Sequence, residues 1–206
     1  MPQILKEELK EQILTAAKKE FLTKDFQNAS IRNIAKSLSC SAGNIYNYFE
    51  NKDALFLATV QDTVSEFEEA RSYIEKTLKD KKTLIYLNFD KSKAYANLIV
   101  NFILKHRENL YLLSCKSRGS QLENFLDNWA KEYAKLEYKS ITLKAKGHKE
   151  LFKHLPSQFF IENLCLFFFD CAKSLVEKDL DEKQLVKYLG EIFSFIYQGW
   201  EYYIDF

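Results

Sequence analysis

The sequence predicts an all-α protein in two parts, and three observations carry that expectation. Only 5 Gly and 2 Pro occur among 206 residues, so turns are few and helices long. Apolar residues recur at i, i+3, i+4 and i+7 through most of the chain, the period of an amphipathic helix. Residues 30–53 instead place two short helical patterns around a tight break, the pattern of a helix-turn-helix. About nine helices are expected: a three-helix N-terminal domain over residues 1–51 and a larger helical domain over residues 52–206.

Helix one is expected from about Gln3 to Leu22. Leu5, Leu9, Ile13, Ala17 and Phe21 repeat every fourth residue, and Lys24-Asp25-Phe26 ends the run. In helix two, Ile31, Ile34, Ala35 and Leu38 form one stripe behind Ser30, whose hydroxyl stands where an N-cap belongs. Leu38-Ser39-Cys40 interrupts the pattern, and Ser41 is a second N-cap. The helix that follows, Ala42 to Tyr48, is too short to be stable alone. Its Ile45, with Phe49, reaches inward and leaves Ala42, Gly43, Asn44, Tyr46, Asn47 and Tyr48 small, polar or phenolic. Packed on a partner helix, such a segment offers a hydrogen-bonding face, as the second helix of a helix-turn-helix does in the DNA major groove. By spacing alone, a turn within an ordinary helical bundle is the other reading.

Asn51 is placed to cap helix four, which carries Leu55, Phe56, Val60, Val64 and Phe67 inward to about Leu78. Lys79-Asp80-Lys81-Lys82 is a charged break, and Leu84 to Phe89 fits either a helical turn or a short extended piece. Asp90 or Ser92 caps a helix from Lys93 to about Lys105, with a further short helix from His106 to Ser114. Lys116-Ser117-Arg118-Gly119-Ser120 is the clearest loop of this half. Gln121 to about Lys144 is helical, with Leu122, Phe125, Leu126, Trp129, Tyr133 and Leu136 on one side, and Ala145-Lys146-Gly147-His148 breaks it.

The last fifty residues read as a helical hairpin. Pro156-Ser157 opens one arm, which runs to about Lys178, and Asp181-Glu182-Lys183-Gln184 has the form of a capping box opening the other. Both arms are apolar over more than one stripe, which marks a helix buried on more than one side. One face then packs on its own chain and the other on a second copy. The expected interface is Phe160, Phe167, Phe168 and Cys171 from the first arm and Leu189, Phe193, Ile196 and Trp200 from the second. A core pair within a monomer is the alternative.

The run ILTAAKKEFLTKDFQNASIRNIAKSLSCSAGNIYNYFENKDALF resembles the N-terminal, homeodomain-like DNA-binding domain of TetR/AcrR-family transcriptional regulators. The likeness rests on Ala16-Ala17 and Phe21, Ser30, Ile34-Ala35, the segment Ser41-x-Gly43-x-Ile45-Tyr46-x-Tyr48-Phe49, and Lys52-Asp53-x-Leu55. It covers roughly the first quarter of the chain; the rest matches in size and helical character. Two positions depart from the pattern. Asp25 stands where the family usually has Gly, and Asp is among the few residues that tolerate a left-handed backbone. Ser39-Cys40-Ser41 replaces Gly-Val-Ser, which puts a strained Ser at the left-handed position of the turn.

The resemblance implies a dimeric, ligand-controlled regulator, a repressor in most such proteins, that binds a palindromic double-stranded DNA operator. A second, ligand-binding and dimerisation domain would follow the head. In that setting Gly43, Asn44 and Asn47 approach base edges, Asn being suited to bidentate pairing with adenine, and Ala42 meets a thymine methyl. Tyr46 and Tyr48 donate to phosphates, with Ser41 and Lys52 beside them at the backbone. Ser30 and Arg32 border the same face, Arg32 as a phosphate contact or a base reader. For Tyr46 the alternative is partial burial against helix one. Cys40 fills the small apolar slot the family gives to Val; a redox role is the lesser reading. The implied pocket for an apolar or aromatic small molecule draws on Tyr95, Asn101, Phe102, Tyr111, Trp129 and Asn163, although aromatic stripes at helical spacing also make plain core.

Composition narrows the other classes. Thirty basic residues oppose 29 acidic ones, so the chain does not coat nucleic acid by bulk charge. The basic run Lys144, Lys146, His148, Lys149, Lys153 and His154 reads as a solvated surface. No apolar run approaches the roughly 20 residues of a membrane span, and the N-terminus has no apolar signal core, so a cytoplasmic protein is expected. Cys40, Cys115, Cys165 and Cys171 lack metal-ligand spacing, and neither metal nor cofactor is expected. No HExxH, P-loop, dinucleotide fingerprint or nucleophile motif points to an enzyme. An all-helical carrier of apolar molecules without specific DNA binding is the rival reading.

Overall fold

The computed structural model describes residues 3–77 and 89–204, with side chains described for 6–76 and 96–204. Eight α-helices occur among them: α1 (Gln3–Asn28), α2 (Ile31–Ser37), α3 (Ala42–Tyr46), α4 (Lys52–Thr77), α5 (Phe89–Tyr111), α6 (Phe125–Gly147), α7 (Gln158–Glu177) and α8 (Glu182–Trp200). A π-turn at Leu112–Lys116 and a 3-10 turn at Lys149–Leu151 complete the helical content. A lone antiparallel bridge joins Phe152 to Ile204. No described helix is long and apolar enough to cross a membrane.

The chain forms two compact units. The first comprises residues 1–65 and 108–126, the second residues 66–107 and 127–206. The first therefore takes in more chain than the helix-turn-helix, adding the start of α4 and the π-turn region. Its core is built on the α1 stripe, where Ile13, Ala17 and Phe21 are fully buried. Phe21, Phe26 and Phe56 meet with ring centroids 5.0–6.1 Å apart, locking α1 to α4. Along α4 the inward positions include polar ones: Thr59 bonds back to the Leu55 carbonyl, and buried Thr63 accepts from Asn109 Nδ2 at 3.0 Å.

Several boundaries differ from the sequence expectation for local reasons. Helix α1 runs past Leu22 to Asn28, with a break at Asp25. There φ is 66° and ψ 172°, beyond the left-handed well and in the region that favours glycine. The Asp25 carboxylate holds the break by accepting from the Asn28 backbone N–H at 2.9 Å and from its side-chain amide. The same backbone hydrogen bond leads the causes that keep this carboxyl below its ordinary pKa. Helix α6 starts at Phe125 rather than Gln121, because residues 117–124 turn around Gly119 at φ 82°. The two helices expected on either side of His106 are one run, broken at His106 with φ −111° and ψ 16°. The cap expected at Asp90 or Ser92 lies outside the described side chains, and the Lys79–Lys82 break and the Leu84–Phe89 segment up to residue 88 lie outside the described residues.

In the second unit α4 braces that break. Glu66 accepts from Lys105, and its other oxygen lies 3.1 Å from His106 Nε2. The Lys105 bond, then His106, hold the Glu66 carboxyl below its ordinary pKa. Arg107 donates to Asp179 Oδ1 at 2.7 Å and to the Leu180 carbonyl, fixing the α7–α8 turn. Ala134, Ile141, Ile161, Cys165, Trp200 and Ile204 form a core cluster. The hairpin begins as read from sequence. Ser157 accepts from the Phe160 N–H, and Asp181 and Gln184 exchange both bonds of a capping box.

Candidate nucleic-acid interface

Ile31, Ile34 and Ala35 bury α2 against its own unit and leave Arg32, Asn33 and Lys36 outward. Ser30 takes the N-cap position in extended conformation, but its hydroxyl makes no capping bond. Its backbone N–H goes instead to Glu20 Oε1 at 3.2 Å, which also accepts from Asn33 Nδ2 at 3.2 Å. Glu20 is thus a positioning residue absent from the sequence reading. No spacing rule links positions ten and thirteen residues apart.

The turn after α2 is a Schellman motif. The Cys40 N–H reaches the Ala35 carbonyl at 3.0 Å and the Ser39 N–H the Lys36 carbonyl at 3.1 Å. This geometry requires a left-handed residue, and Ser39 fills it at φ 53°. A non-glycine residue there carries about 1–2 kcal/mol of strain. Ser39→Gly is therefore expected to stabilise the protein by about 1 kcal/mol, after the entropy glycine loses on folding. The denaturant midpoint checks this, and a lower midpoint would refute it.

Helix α3 spans five residues. Ser41 Oγ caps it by accepting from the Asn44 N–H at 3.3 Å, and the Tyr48 and Phe49 N–H groups return to the Ile45 carbonyl. Ile45 and Phe49 are buried and bind the short helix to the core. Gly43, Asn44 and Asn47 are exposed with Ser41, and Tyr46 keeps 51% of its surface. Ala42 and Tyr48 are half-buried at the margins, and Arg32 is exposed on α2. A Cβ at Gly43 would meet only Ser41 Oγ, at 3.7 Å, an ordinary contact. Gly43 also lacks a positive φ. Its own unit has no steric need for glycine there.

Lys52 does not join this face as expected. Its Nζ donates to the carbonyls of Phe26 (2.8 Å), Gln27 (3.3 Å) and Ala29 (3.3 Å) and lies 4.5 Å from the centre of the Phe26 ring. Its ammonium is spent on the end of α1. Beside it Asn51 caps α4 by accepting from the Ala54 N–H, and Asp53 accepts from the Gln121 N–H at 2.7 Å.

The expected pocket residues do not gather in one place. Phe102 and Trp129 both meet Phe67 in the second unit, at 5.3 and 4.9 Å. Asn101 and Asn163 are exposed, and Asn163 donates to the Phe159 carbonyl of its own helix. Tyr111 belongs to the first unit, and the Tyr95 side chain lies outside the described residues. Two expected interface residues, Leu189 and Trp200, are buried within their own unit, because the inward stripe of α8 runs through them. Phe160, Phe167, Phe168, Cys171, Phe193 and Ile196 keep accessible surface. The most exposed rings of the hairpin are Phe159 at 75% and Phe195 at 69%.

Residues 13–59 match the family model described as bacterial regulatory proteins, tetR family. Searched by sequence, the chain matches no curated protein. Its fold is similar to that of a TetR-like transcriptional regulator from Rhodococcus sp. RHA1, with a TM-score of 0.61 and 16% identity over 94% of this chain and 96% of that one. It is similar too to NalD, the secondary repressor of the MexAB-OprM multidrug efflux pump in Pseudomonas aeruginosa (TM-score 0.60, 16% identity, 97% of each chain). A third match is the transcriptional regulator FadR from Bacillus subtilis in complex with stearoyl-CoA (TM-score 0.58, 16% identity, 92% of this chain and 98% of that one).

Proposed function

We propose that the chain, whose residues 13–59 match the tetR-family model, is a TetR-like transcriptional regulator that binds a palindromic DNA operator as a homodimer, represses from that site, and releases it in response to a small apolar or aromatic ligand. The observation that carries the DNA reading is Gly43. Glycine in a helix costs about 1 kcal/mol relative to alanine, and nothing in its own unit would collide with a methyl group at this position. A surface outside the protein explains the missing side chain. Close approach of α3 to the floor of the major groove is such a reason, with Asn44 and Asn47 at base edges and Ala42 at a thymine methyl. Tyr46, Tyr48, Ser41, Ser30 and Arg32 flank them toward the phosphates. The exposed rings of α7 and α8 support a second copy as partner. The ring cluster of the second unit supports an apolar or aromatic ligand, and the stearoyl-CoA bound by FadR carries an apolar acyl chain.

Selection of binding sites from random duplex DNA at two salt concentrations tests the reading, and a twofold-symmetric site is the expected outcome. Weak, sequence-blind binding that vanishes with salt would overturn it. Two variants then test the face. Gly43→Ala is expected to leave the melting temperature unchanged or higher while lowering operator affinity at least tenfold. Asn47→Ala is expected to cost about 1–3 kcal/mol of discrimination at one base pair while leaving non-specific binding alone.

A further inference from the structure

We propose that one end of the second unit, built from the close of α6, the 3-10 turn and residues 200–204, docks peripherally on an anionic lipid surface. Its lysines would face phosphate headgroups while exposed apolar side chains enter the interface. The proposal goes beyond operator binding and does not depend on it.

Charge is the first observation. Residues 138–159 carry five lysines against a single acid, Glu150, in a chain of 30 basic and 29 acidic residues. Lys139, Leu143 and Lys146 fall at i, i+4 and i+7 on α6, so they share one stripe, and all three are exposed. Lys149 carries the run into the 3-10 turn and is exposed as well. Lys139, Lys146 and Lys149 have no ion pair among the described residues. Of the two acids in these segments, Glu150 lies 3.5 Å from His148 Nδ1, and Glu201 is exposed.

Apolar exposure is the second. Leu155 keeps 51% of its surface and Tyr202 65%, and neither belongs to the core. The backbone holds their segments together. The Lys153 N–H donates to the Tyr203 carbonyl at 2.9 Å, and Phe152 bridges Ile204. Lys153 Nζ donates to the Glu201 carbonyl at 3.3 Å, and the His154 ring stands 5.1 Å from the Tyr202 ring. Beneath them Ile141, Trp200 and Ile204 share one core cluster, with Leu151 and Phe152 packed against it. The basic run is therefore anchored to a folded platform and is not a loose tail.

Exposed apolar groups rimmed by charge mark an interaction surface. Charge complementarity calls for a phosphate-rich partner, and the apolar groups decide which one. A duplex backbone offers Leu143 and Leu155 nothing. A bilayer takes aliphatic side chains at its acyl boundary, holds tyrosine rings at headgroup level, and lets lysine stems lie along the apolar surface with the ammonium outward. Each lysine beside an anionic leaflet raises affinity about fivefold, and the attraction fades within a Debye length.

The test is cosedimentation of the full-length protein with two kinds of vesicle: phosphatidylcholine alone, and phosphatidylcholine with phosphatidylglycerol at about two to one, each at ~0.1 M and ~0.5 M salt. The phosphatidylglycerol vesicles are expected to bind at least tenfold more tightly at low salt, with most of that preference lost at high salt. Combining Lys139→Glu, Lys146→Glu and Lys149→Glu is expected to lower this affinity at least a hundredfold. Combining Leu155→Ser and Tyr202→Ser is expected to lower it at least tenfold, which contact through charge alone would not produce. All five side chains are exposed, so circular dichroism melts should stay close to wild type; if the serine variant melts early, the charge reversal and the vesicle preference decide. Equal binding to the two vesicles, no binding to either, or a charge reversal that binds as wild type would overturn the proposal. So would a folded serine variant with unchanged vesicle affinity, which would leave only a polyanion contact. A charge reversal that weakens sequence-blind duplex binding and spares vesicle binding would assign the patch to nucleic acid instead. The vesicle arms contain no DNA. A protein that binds the anionic vesicles and selects no operator loses the regulator reading and keeps this one; an operator binder that ignores the vesicles does the reverse.

Discussion

Replacing Lys52 with Met is expected to destabilise the first unit by about 3 kcal/mol without changing the salt dependence of operator binding. The last carbonyls of a helix have no partner within it, and a cation near that end is favourable. At the end of α1 the Lys52 ammonium meets two of them, from Phe26 and Gln27, and the Ala29 carbonyl just beyond. Hydrogen bonds to a charged group contribute about 1.5–3 kcal/mol each, and three sharing one donor group do not add in full. Met keeps the stem against Phe26 and removes the donors. The break at Asp25 makes the effect larger, because the turn beyond it depends on its own cap and on this lysine. Denaturant unfolding gives the stability, and operator titration at several salt concentrations gives the slope. A phosphate contact behaves oppositely: the slope falls by about one unit and stability holds. That outcome would return Lys52 to the reading face.

Introducing Glu at both Phe159 and Phe195 is expected to convert a dimer to a monomer and to lower operator affinity more than a hundredfold. Both rings are among the most exposed apolar side chains of the described residues. Each aromatic ring buries about 150–250 Å² when covered, so the pair represents a large share of one partner's face in a standard interface of about 800 Å². Twofold pairing sets two recognition helices about 34–36 Å apart for successive major grooves, and a monomer loses that second contact. Sedimentation equilibrium reads the state of assembly, and the circular dichroism melt should stay close to wild type because neither ring is in the core. Leu189→Ala is the contrasting control. That side chain is fully buried, so truncation is expected to cost about 2–5 kcal/mol of stability in the second unit. A double variant that remains dimeric would rule out this face.

The local signals of the sequence carried much of the fold. The stripe Ile13, Ala17 and Phe21, spaced every fourth residue, became the buried face of α1. The caps at Ser41, Asn51 and Ser157 and the box at Asp181 and Gln184 all formed, because a cap needs only residues two or three positions apart. The same range explains Ser39, whose left-handed place follows from the break between two stripes. Where a short-range cue could be met in two ways, it misled. Ser30 stands at an N-cap without capping, while its own backbone N–H goes to Glu20, ten residues upstream.

What only the tertiary structure decided lies between residues far apart in the chain. Nothing near Lys52 in sequence announces acceptors 23–26 residues upstream, so its charge reads as a phosphate contact until the fold brings the end of α1 beneath it. In α7 and α8 several faces are apolar, and a 3.6-residue period cannot say which one the chain itself covers. Packing chose Leu189 and Trp200 for the inside and left Phe159 and Phe195 outside. Glu137 on α6 is half-buried, and desolvation there outweighs the pull of Lys144 and Tyr133 on its carboxyl. Sequence alone thus determined most of the helices and caps and the helix-turn-helix pattern, which depend on neighbours one turn away. Tertiary structure decided which charges are spent internally and which apolar faces remain open, because those depend on what a distant segment covers.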